Sequence, residues 1–134
     1  MKDDHPLKNL PQNYRDEQKE LQLAGIQTWK GLKNLSETVM MNLVQDGIST
    51  ASNLKRLKGI ALFVCELDLK PDEAALLMHS GMATISALAN STPQEVILRT
   101  GRLERQLQSN RNSVVNLPKA SDWIQRAKAR QLKN

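Results

Sequence analysis

A short phrase that occurs three times constrains the fold of this chain more than any other feature of its sequence. Each copy has a glycine, an apolar residue, one variable residue and a threonine, and the three glycines are Gly25, Gly47 and Gly81. A leucine follows seven positions after every glycine, at Leu32, Leu54 and Leu88. The glycines lie 22 and 34 positions apart, so the phrase is a repeated structural device without a constant solenoid period.

The phrase predicts a helix, a tight turn and a second helix. Glycine fits the left-handed backbone position just past a helix end, where a side chain would be strained. The apolar residue that follows can fold back onto the last helical turn, and the threonine can accept a backbone N–H bond as the N-cap of the next helix. The leucine then falls on the inner face of that helix.

Further capping signals predict more helix starts. Thr92 is followed by a first-turn proline and a capping-box glutamate, and Pro71 opens another segment with two acids behind it. The stretch from Ile60 to Cys65 could form a buried strand, but the helix signals around it favour a helix. Because no alternating strand pattern or hairpin dipeptide is found, the sequence predicts a compact all-α bundle of eight or nine short helices.

The length of 134 residues fits one domain, since domains most often have about 100–150 residues. We expect a flexible N-terminus over 1–13, the main domain over 14–109 and a polar linker over 110–118. A C-terminal basic amphipathic helix, 119–134, is expected to pack on the domain. Within that segment Ser121 and Asp122 predict the helix itself over 121–132.

Composition excludes several classes of protein. No apolar run approaches the roughly 18 residues of a membrane span, and the polar N-terminus lacks the apolar stretch of a signal peptide. The single cysteine cannot form an intramolecular disulfide and is far short of a metal cage. We therefore expect a cytoplasmic protein with no metal, no cofactor and no membrane partner, and nothing indicates a small-molecule ligand.

The net charge of +5 is unevenly distributed along the chain. Residues 61–98 have a net charge of −4, whereas residues 99–134 have +7 and residues 21–60 have +3. Such asymmetry is typical of a surface for an anionic partner, although solvated helix faces with a basic tail give the same pattern.

Two groups of basic residues are candidates for that surface. In the first, Arg99, Arg102, Arg105 and Arg111 lie in and just after one helix, and they could join Arg126, Arg130 and Lys133 of the last helix. The second group is Lys55, Arg56 and Lys58. Phosphate contacts by such residues give salt-dependent, sequence-independent affinity. The alternative is that their stems cover helix faces and their charged ends cap carbonyl groups.

The stretch from Leu69 to Asn90, which contains the third phrase, resembles a bacterial family known only as domain of unknown function 4332. Cyanobacterial members of this family share the phrase near Gly25 and an ending similar to the segment from Asp122 to Ala127. The similarity covers about residues 20–132. The resemblance implies an all-helical fold built from tandem helix-hairpin-helix-like units, and it implies no catalytic residue.

Helix-hairpin-helix units of other families often bind nucleic-acid backbones, because a tight glycine hairpin directs backbone N–H groups at a phosphate. Those hairpins usually have two glycines around an apolar residue, and all three phrases here lack the second glycine. The stretch around Gly59 comes closest to such a first hairpin, with alanine in place of the second glycine. We therefore predict hairpin turns at Gly25, Gly47, Gly59 and Gly81, in a packing role or a phosphate-binding role.

The sequence favours a binding module without catalysis. Cys65 is expected to be a buried small hydrophobe and His79 to suit the dipole at a helix end, so a catalytic pair of the two is disfavoured. The few aromatic residues are expected in the core, which disfavours base stacking. The leading hypothesis is sequence-independent binding of a DNA or RNA backbone through the C-terminal basic residues. The alternative is a protein–protein adaptor without a nucleic-acid role.

Overall fold

The computed structural model describes residues 14–45, 50–106 and 115–132, without the side chains of residues 15 and 104–106. These residues form eight α-helices and no β-strand, so the prediction of an all-α fold is confirmed. The helices are α1 (Arg15–Leu23), α2 (Trp29–Lys33), α3 (Glu37–Val44), α4 (Ala51–Leu67), α5 (Pro71–His79), α6 (Ile85–Ala89), α7 (Pro93–Gln106) and α8 (Leu117–Leu132).

The chain divides into two compact units, Met1–Ala75 and Leu76–Asn134, and the boundary falls inside α5. In the first unit α2 and α3 pack against α4, and in the second unit α6 and α7 pack against α8. The expected N-terminal segment 1–13 and most of the expected linker 110–118 lie outside the described residues. The domain limits drawn from the sequence therefore stay predictions.

The same order of helices occurs twice, with counterpart residues 56 positions apart, such as Gly25 and Gly81. The helices α1 and α5 both have nine residues, and α2 and α6 both have five. Identical residues at this spacing are Asp16 and Asp72, Glu17 and Glu73, Leu21 and Leu77, Thr28 and Thr84, Leu32 and Leu88, and Asn34 and Asn90. The chain therefore repeats a helix–turn–helix–helix pattern, with the constant spacing of 56 holding for the first three helices of each copy. We refer to this internal repeat as the duplication.

Glycine ends the first helix of each copy in the way the sequence predicts. Gly25 has a φ of +84° and Gly81 a φ of +94°, a region that residues with a side chain rarely adopt. The next N–H group, of Ile26 or Met82, donates back to the third-last helical carbonyl at 2.8 or 3.1 Å. The turns at these two glycines are thus confirmed, whereas Gly47 lies outside the described residues.

Threonine begins the following helix at all three phrases. The Oγ1 atoms of Thr28, Thr50 and Thr84 each accept a backbone N–H bond from three residues ahead, at 3.1, 3.1 and 3.0 Å. The leucine four positions after each threonine has no exposed surface, as predicted. Full burial of one such leucine contributes about 1.5–3 kcal/mol, so cap and leucine together fix where each helix starts and which side it buries.

The predicted turn at Gly59 is wrong, because this glycine lies in the interior of α4. Leu57, Ile60, Ala61 and Val64 recur around it at helical spacing and are buried. A glycine in a helix interior costs only about 0.5–1 kcal/mol relative to alanine, which burial of that apolar face exceeds. The same face confirms that the stretch from Ile60 to Cys65 is helical.

The last helix begins four residues earlier than the sequence predicted, at Leu117 instead of residue 121. The side-chain Oδ1 of Asn116 accepts the backbone N–H of Lys119 at 2.9 Å and so caps the helix. Pro118 sits in the first turn, where a missing N–H has no intrahelical partner to lose. The sequence signal was misassigned because Ser121 and Asp122 are also good capping residues.

Candidate basic cleft of the second unit

Helix α7 presents two arginines on neighbouring positions of its surface. The Thr92 hydroxyl caps this helix by accepting the N–H of Glu95 at 3.1 Å. Arg99 and Arg102 follow in the next two turns, three positions apart, which places them on one side of the helix. Both side chains are exposed, so solvent and any ligand can reach them.

These arginines line an open cleft of about 250 Å³. Among the described residues, the cleft is also lined by His79 and Ser80, from the end of α5, and by Leu103 of α7. His79 and Ser80 come directly before the turn at Gly81. The second unit thus brings a predicted hairpin turn and two of the predicted arginines into one place.

The guanidinium of Arg99 is held between an acid and the glycine turn. Its Nη2 atom lies 2.9 Å from Oε1 of Glu95, one helical turn away. Its Nη1 atom lies only 3.2 Å from the point where a Cβ atom on Gly81 would stand. The absence of a side chain at Gly81 therefore allows the guanidinium to rest against the turn.

Arg102 supplies the second positive charge of the cleft. Its side chain is exposed and forms no hydrogen bond or ion pair with another described residue.

The turn at Gly81 offers a phosphate fewer backbone N–H donors than a phosphate-binding hairpin would. The N–H groups of Gly81 and Met82 donate to Met78 and Leu77 carbonyls, at 3.3 and 3.1 Å. An anion in this cleft would therefore be bound chiefly by guanidinium groups.

The basic residues of α8 do not line this cleft. Nη2 of Arg126 lies 2.9 Å from Oδ2 of Asp122 on the same helix. Arg130 is half-buried near the end of α8. Arg105 belongs to α7, but its side chain is outside the description, and Arg111 and Lys133 lie outside the described residues. The continuous patch expected from the sequence is therefore shown only for Arg99 and Arg102.

The second predicted cluster lies on α4, in the first unit. Nζ of Lys58 donates to the carbonyl oxygen of Leu35 at 2.7 Å, which is a structural bond. Nη1 of Arg56 donates to Oδ1 of Asn53 at 3.3 Å, and Lys55 is exposed. Because Gly59 is helical, no hairpin turn adjoins these residues.

Sequence reasoning did not assign His79, Ser80 and Leu103 to a basic site. The duplication indicates the position of this site, because the corresponding positions in the first unit have apolar residues where the second unit has polar ones. His79, Ser80 and Arg99 correspond to Leu23, Ala24 and Leu43. The turn glycine and the capping threonine are retained in both copies. The hairpin fold therefore does not require the polar groups of the second cleft.

All four aromatic side chains of the protein are buried, as expected. Tyr14, Trp29, Phe63 and Trp123 are each at most 2% exposed. Burial raises the pKa of the Tyr14 hydroxyl, opposed by the positive charge of Arg56 and assisted by Glu17. No aromatic ring is therefore available to stack on a nucleic-acid base.

Cys65 is half-buried near the end of α4, so the prediction of a buried cysteine is wrong. It lies beside the half-buried Glu66, at the edge of the face that buries Val64.

Across the described ranges, no three His, Cys, Asp or Glu side chains are grouped to hold a metal ion. None of the eight helices described is long and apolar enough to cross a membrane.

The model of one protein family matches residues 11–130, which is most of the chain. That family is described as a domain of unknown function, DUF4332. The chain belongs to this family. No curated protein and no solved structure matches the chain. The eight described helices and the duplicated hairpin are therefore structural features of a DUF4332 protein, and its function has to be argued from the cleft.

Proposed function

We propose that this protein is a non-catalytic binding module that holds the phosphate backbone of a nucleic acid, independently of sequence, at the cleft of its second unit. Arg99 and Arg102 would supply the charge, and Arg105, Arg126 and Arg130 would extend the positive surface around it. Phosphate contacts of this kind position a protein on DNA or RNA without reading the bases.

The observation that carries this proposal is the difference between the two copies of the hairpin. Both retain the residues that form the turn, but only the second copy adds arginines beside it. Arg99 lies against the turn, with its Nη1 atom 3.2 Å from the point where a Cβ atom on Gly81 would stand, so the added charge is at the turn itself. The burial of every aromatic ring supports binding through phosphate and not through bases.

The test is fluorescence anisotropy with labelled duplex DNA, single-stranded DNA and RNA over a range of salt concentrations. The double variant R99Q/R102Q should weaken binding uniformly across sequences. Each phosphate contact contributes roughly 0.9 to the slope of log affinity against log salt, so the slope should fall by about 1 for each phosphate that the cleft holds. Dissociation constants weaker than about 0.1 mM at low salt would contradict the proposal.

The matched control is K30Q/K128Q, which removes the same two charges from exposed positions outside the cleft. Long-range attraction depends on net charge, so this control should lower affinity slightly for every ligand. It should leave the salt slope close to that of the unmodified protein. Equal effects of the two double variants would place binding outside the cleft.

A second candidate is the protein–protein adaptor, which one observation favours. Leu98 is 54% exposed on α7, one turn before Arg102, and a phosphate backbone has no use for an apolar side chain there. If the adaptor role holds, the variant L98S should release a protein partner that nuclease treatment does not remove. DNA anisotropy should then show no specific contribution from the arginines.

We also propose that the protein has no catalytic activity, needs no cofactor and works in the cytoplasm. A binding role without catalysis requires no cofactor and no chemistry at Cys65 or His79. A cytoplasmic setting is proposed because the single cysteine is typical of a chain that forms no internal disulfide. Fractionation of the source cells would test the setting, since recovery with the membranes or outside the cytoplasm would contradict it.

A further inference from the structure

We propose that the cleft of the second unit is a single-phosphate site in which Glu95 and Gly81 position the guanidinium of Arg99. This inference rests on the proposed function and deepens it, because it assigns binding roles to two residues that carry no positive charge. Arg102 is then the cation that meets the phosphate without a competing partner among the described residues.

The Glu95–Arg99 ion pair is better explained as a device that orients the Arg99 guanidinium than as one that stabilises the fold. The two side chains are 39% and 44% exposed and stand one helical turn apart. A surface pair of this kind stabilises a fold by about 0–1 kcal/mol. Its larger effect is to fix one edge of a planar guanidinium, which has five N–H donors in a rigid fork and can still present others.

The approach of Arg99 to Gly81 is the second observation. Gly25 and Gly81 have the same left-handed backbone, but among the described residues no atom beyond its chain neighbours lies within 4 Å of the position of a Cβ atom on Gly25. At Gly81 the Arg99 Nη1 atom lies 3.2 Å from that point. The positive φ explains why both positions have glycine. The close approach of the Arg99 guanidinium is found only at Gly81.

The first unit shows that the hairpin folds without this arrangement. The counterparts of Glu95 and Arg99 are Val39 and Leu43, on a helix preceded by the same kind of glycine turn. Leu43 is buried, so in that copy the position serves the core. The second copy thus has both the acid and the arginine where the first copy has two apolar residues.

Charge indicates which ligand the site would take. Arg99 and Glu95 compensate each other, so Arg102 supplies the one uncompensated guanidinium of the cleft. One positive charge matches the single negative charge of a phosphodiester group. It does not match a run of several phosphates, which would need a longer row of cations.

The variant E95Q separates positioning from simple electrostatics, because the two predict opposite signs. Removal of a negative charge from a phosphate site should tighten binding if charge alone matters. If Glu95 positions Arg99, E95Q should weaken anisotropy-measured binding of duplex DNA by about threefold. The matched control D122N breaks the equivalent 2.9 Å pair on α8 and should bind at least as tightly as the unmodified protein. Binding by E95Q that is equal or tighter would overturn the inference.

The pair of variants G81A and G25A tests the contact with the turn. Each puts a side chain at a positive φ, so both should lose about 1–2 kcal/mol of unfolding free energy in urea. Only G81A brings a methyl group against Arg99, so only G81A should weaken DNA binding under conditions where circular dichroism shows both to be folded. Equal losses of binding, or no loss in either variant, would contradict the role assigned to Gly81.

Side-chain NMR provides a readout that does not need DNA. The Nε–Cζ bond of Arg99 should rotate more slowly than that of Arg102 in the free protein. E95Q and G81A should speed this rotation, while G25A should leave it unchanged. If no variant binds DNA but Arg99 is held in this way, the proposed function fails and the positioning stands. If Arg99 rotates as fast as Arg102, the positioning itself is wrong.

Discussion

Individual threonine hydroxyls close the first turn of α2, α4 and α6. Each accepts one backbone N–H that would otherwise have no intrahelical partner. The helices α2 and α6 have only five residues, so the cap is a large part of what defines them. Helices this short are not stable alone and depend on caps and on packing.

Loss of the hydroxyl at Thr84 should be measurable as a loss of stability. We expect T84A to lower the free energy of unfolding by about 1 kcal/mol, because the N–H of Ala87 loses its acceptor. Urea unfolding followed by circular dichroism provides the measurement. The control T84S keeps an oxygen at the same place and should recover most of the loss, and a T84S variant as unstable as T84A would contradict the capping role.

Tyr14 should make the protein less stable in strong alkali. Burial raises the pKa of its hydroxyl above the ordinary value of 10.0, an effect that Arg56 opposes and Glu17 assists. Well below pH 10 the hydroxyl is protonated in both states, so its contribution to stability there is constant. As the pH rises further the unfolded chain ionises first, and the free energy of unfolding falls until the folded pKa is passed.

Urea unfolding of the unmodified protein and of Y14F, from pH 8 to above the folded pKa, isolates this contribution. Lysines also titrate in that range, but they do so in both proteins. We therefore expect the two stability curves to run parallel near pH 8 and the curve of the unmodified protein to fall more steeply as the pH rises through about 10. Parallel curves throughout would show that the hydroxyl keeps its ordinary pKa.

At the scale of helices, polar side chains join α2 to α4 in the first unit. Nζ of Lys33 lies 3.1 Å from Oε1 of Glu66, and Lys58 donates to the carbonyl of Leu35 just after α2. These bonds accompany the apolar packing of the same two helices. On α4, Lys58 therefore has a structural role, whereas Lys55 is exposed to solvent.

The variant K58M should distinguish these two roles on α4. It keeps an unbranched stem but leaves the partly buried Leu35 carbonyl without its donor, so we expect a loss of about 1.5–3 kcal/mol in urea unfolding. The control K55M changes an exposed lysine three positions earlier and should stay within about 0.5 kcal/mol of the unmodified protein. Similar values for the two variants would show that Lys58 is not structural.

For the molecule as a whole, the repeated helix pattern gives the leucine after each capping threonine the same structural role in both copies. Leu32 and Leu88 stand four residues after the capping threonine of their helices, and neither has exposed surface. Each belongs to the core of a different unit, around α4 in the first and α8 in the second. This buried leucine is thus retained in both copies, whereas the buried Leu43 of the first copy has the exposed Arg99 as its counterpart.

The variants L32A and L88A test that equivalence. Leucine-to-alanine changes in a core cost about 2–5 kcal/mol, and we expect both variants to fall in that range. The exposed Leu132 is the control, since L132A should change the free energy of unfolding by less than about 0.5 kcal/mol. A cost below 1 kcal/mol at either core leucine would show that its unit is not packed as described.

The sequence alone determined the parts of this protein that depend on neighbours along the chain. The turns at Gly25 and Gly81 and the caps at Thr28, Thr50 and Thr84 were predictable because they involve residues within a few positions of one another. The burial of Leu32, Leu54 and Leu88 followed from the same local pattern. The all-α fold follows from these local signals in turn.

The tertiary structure decided the features that depend on contacts between distant residues. The local sequence predicts a turn at Gly59 because glycine is tolerated both in turns and in helix interiors. The burial of the apolar residues around it decides in favour of the helix. Lys58 resembled its exposed neighbours until its bond to Leu35, which is 23 positions away, was known. The meeting of Arg99 with the Gly81 turn likewise depends on how α7 lies beside the end of α5, and side-chain spacing along one helix contains no information about that distance.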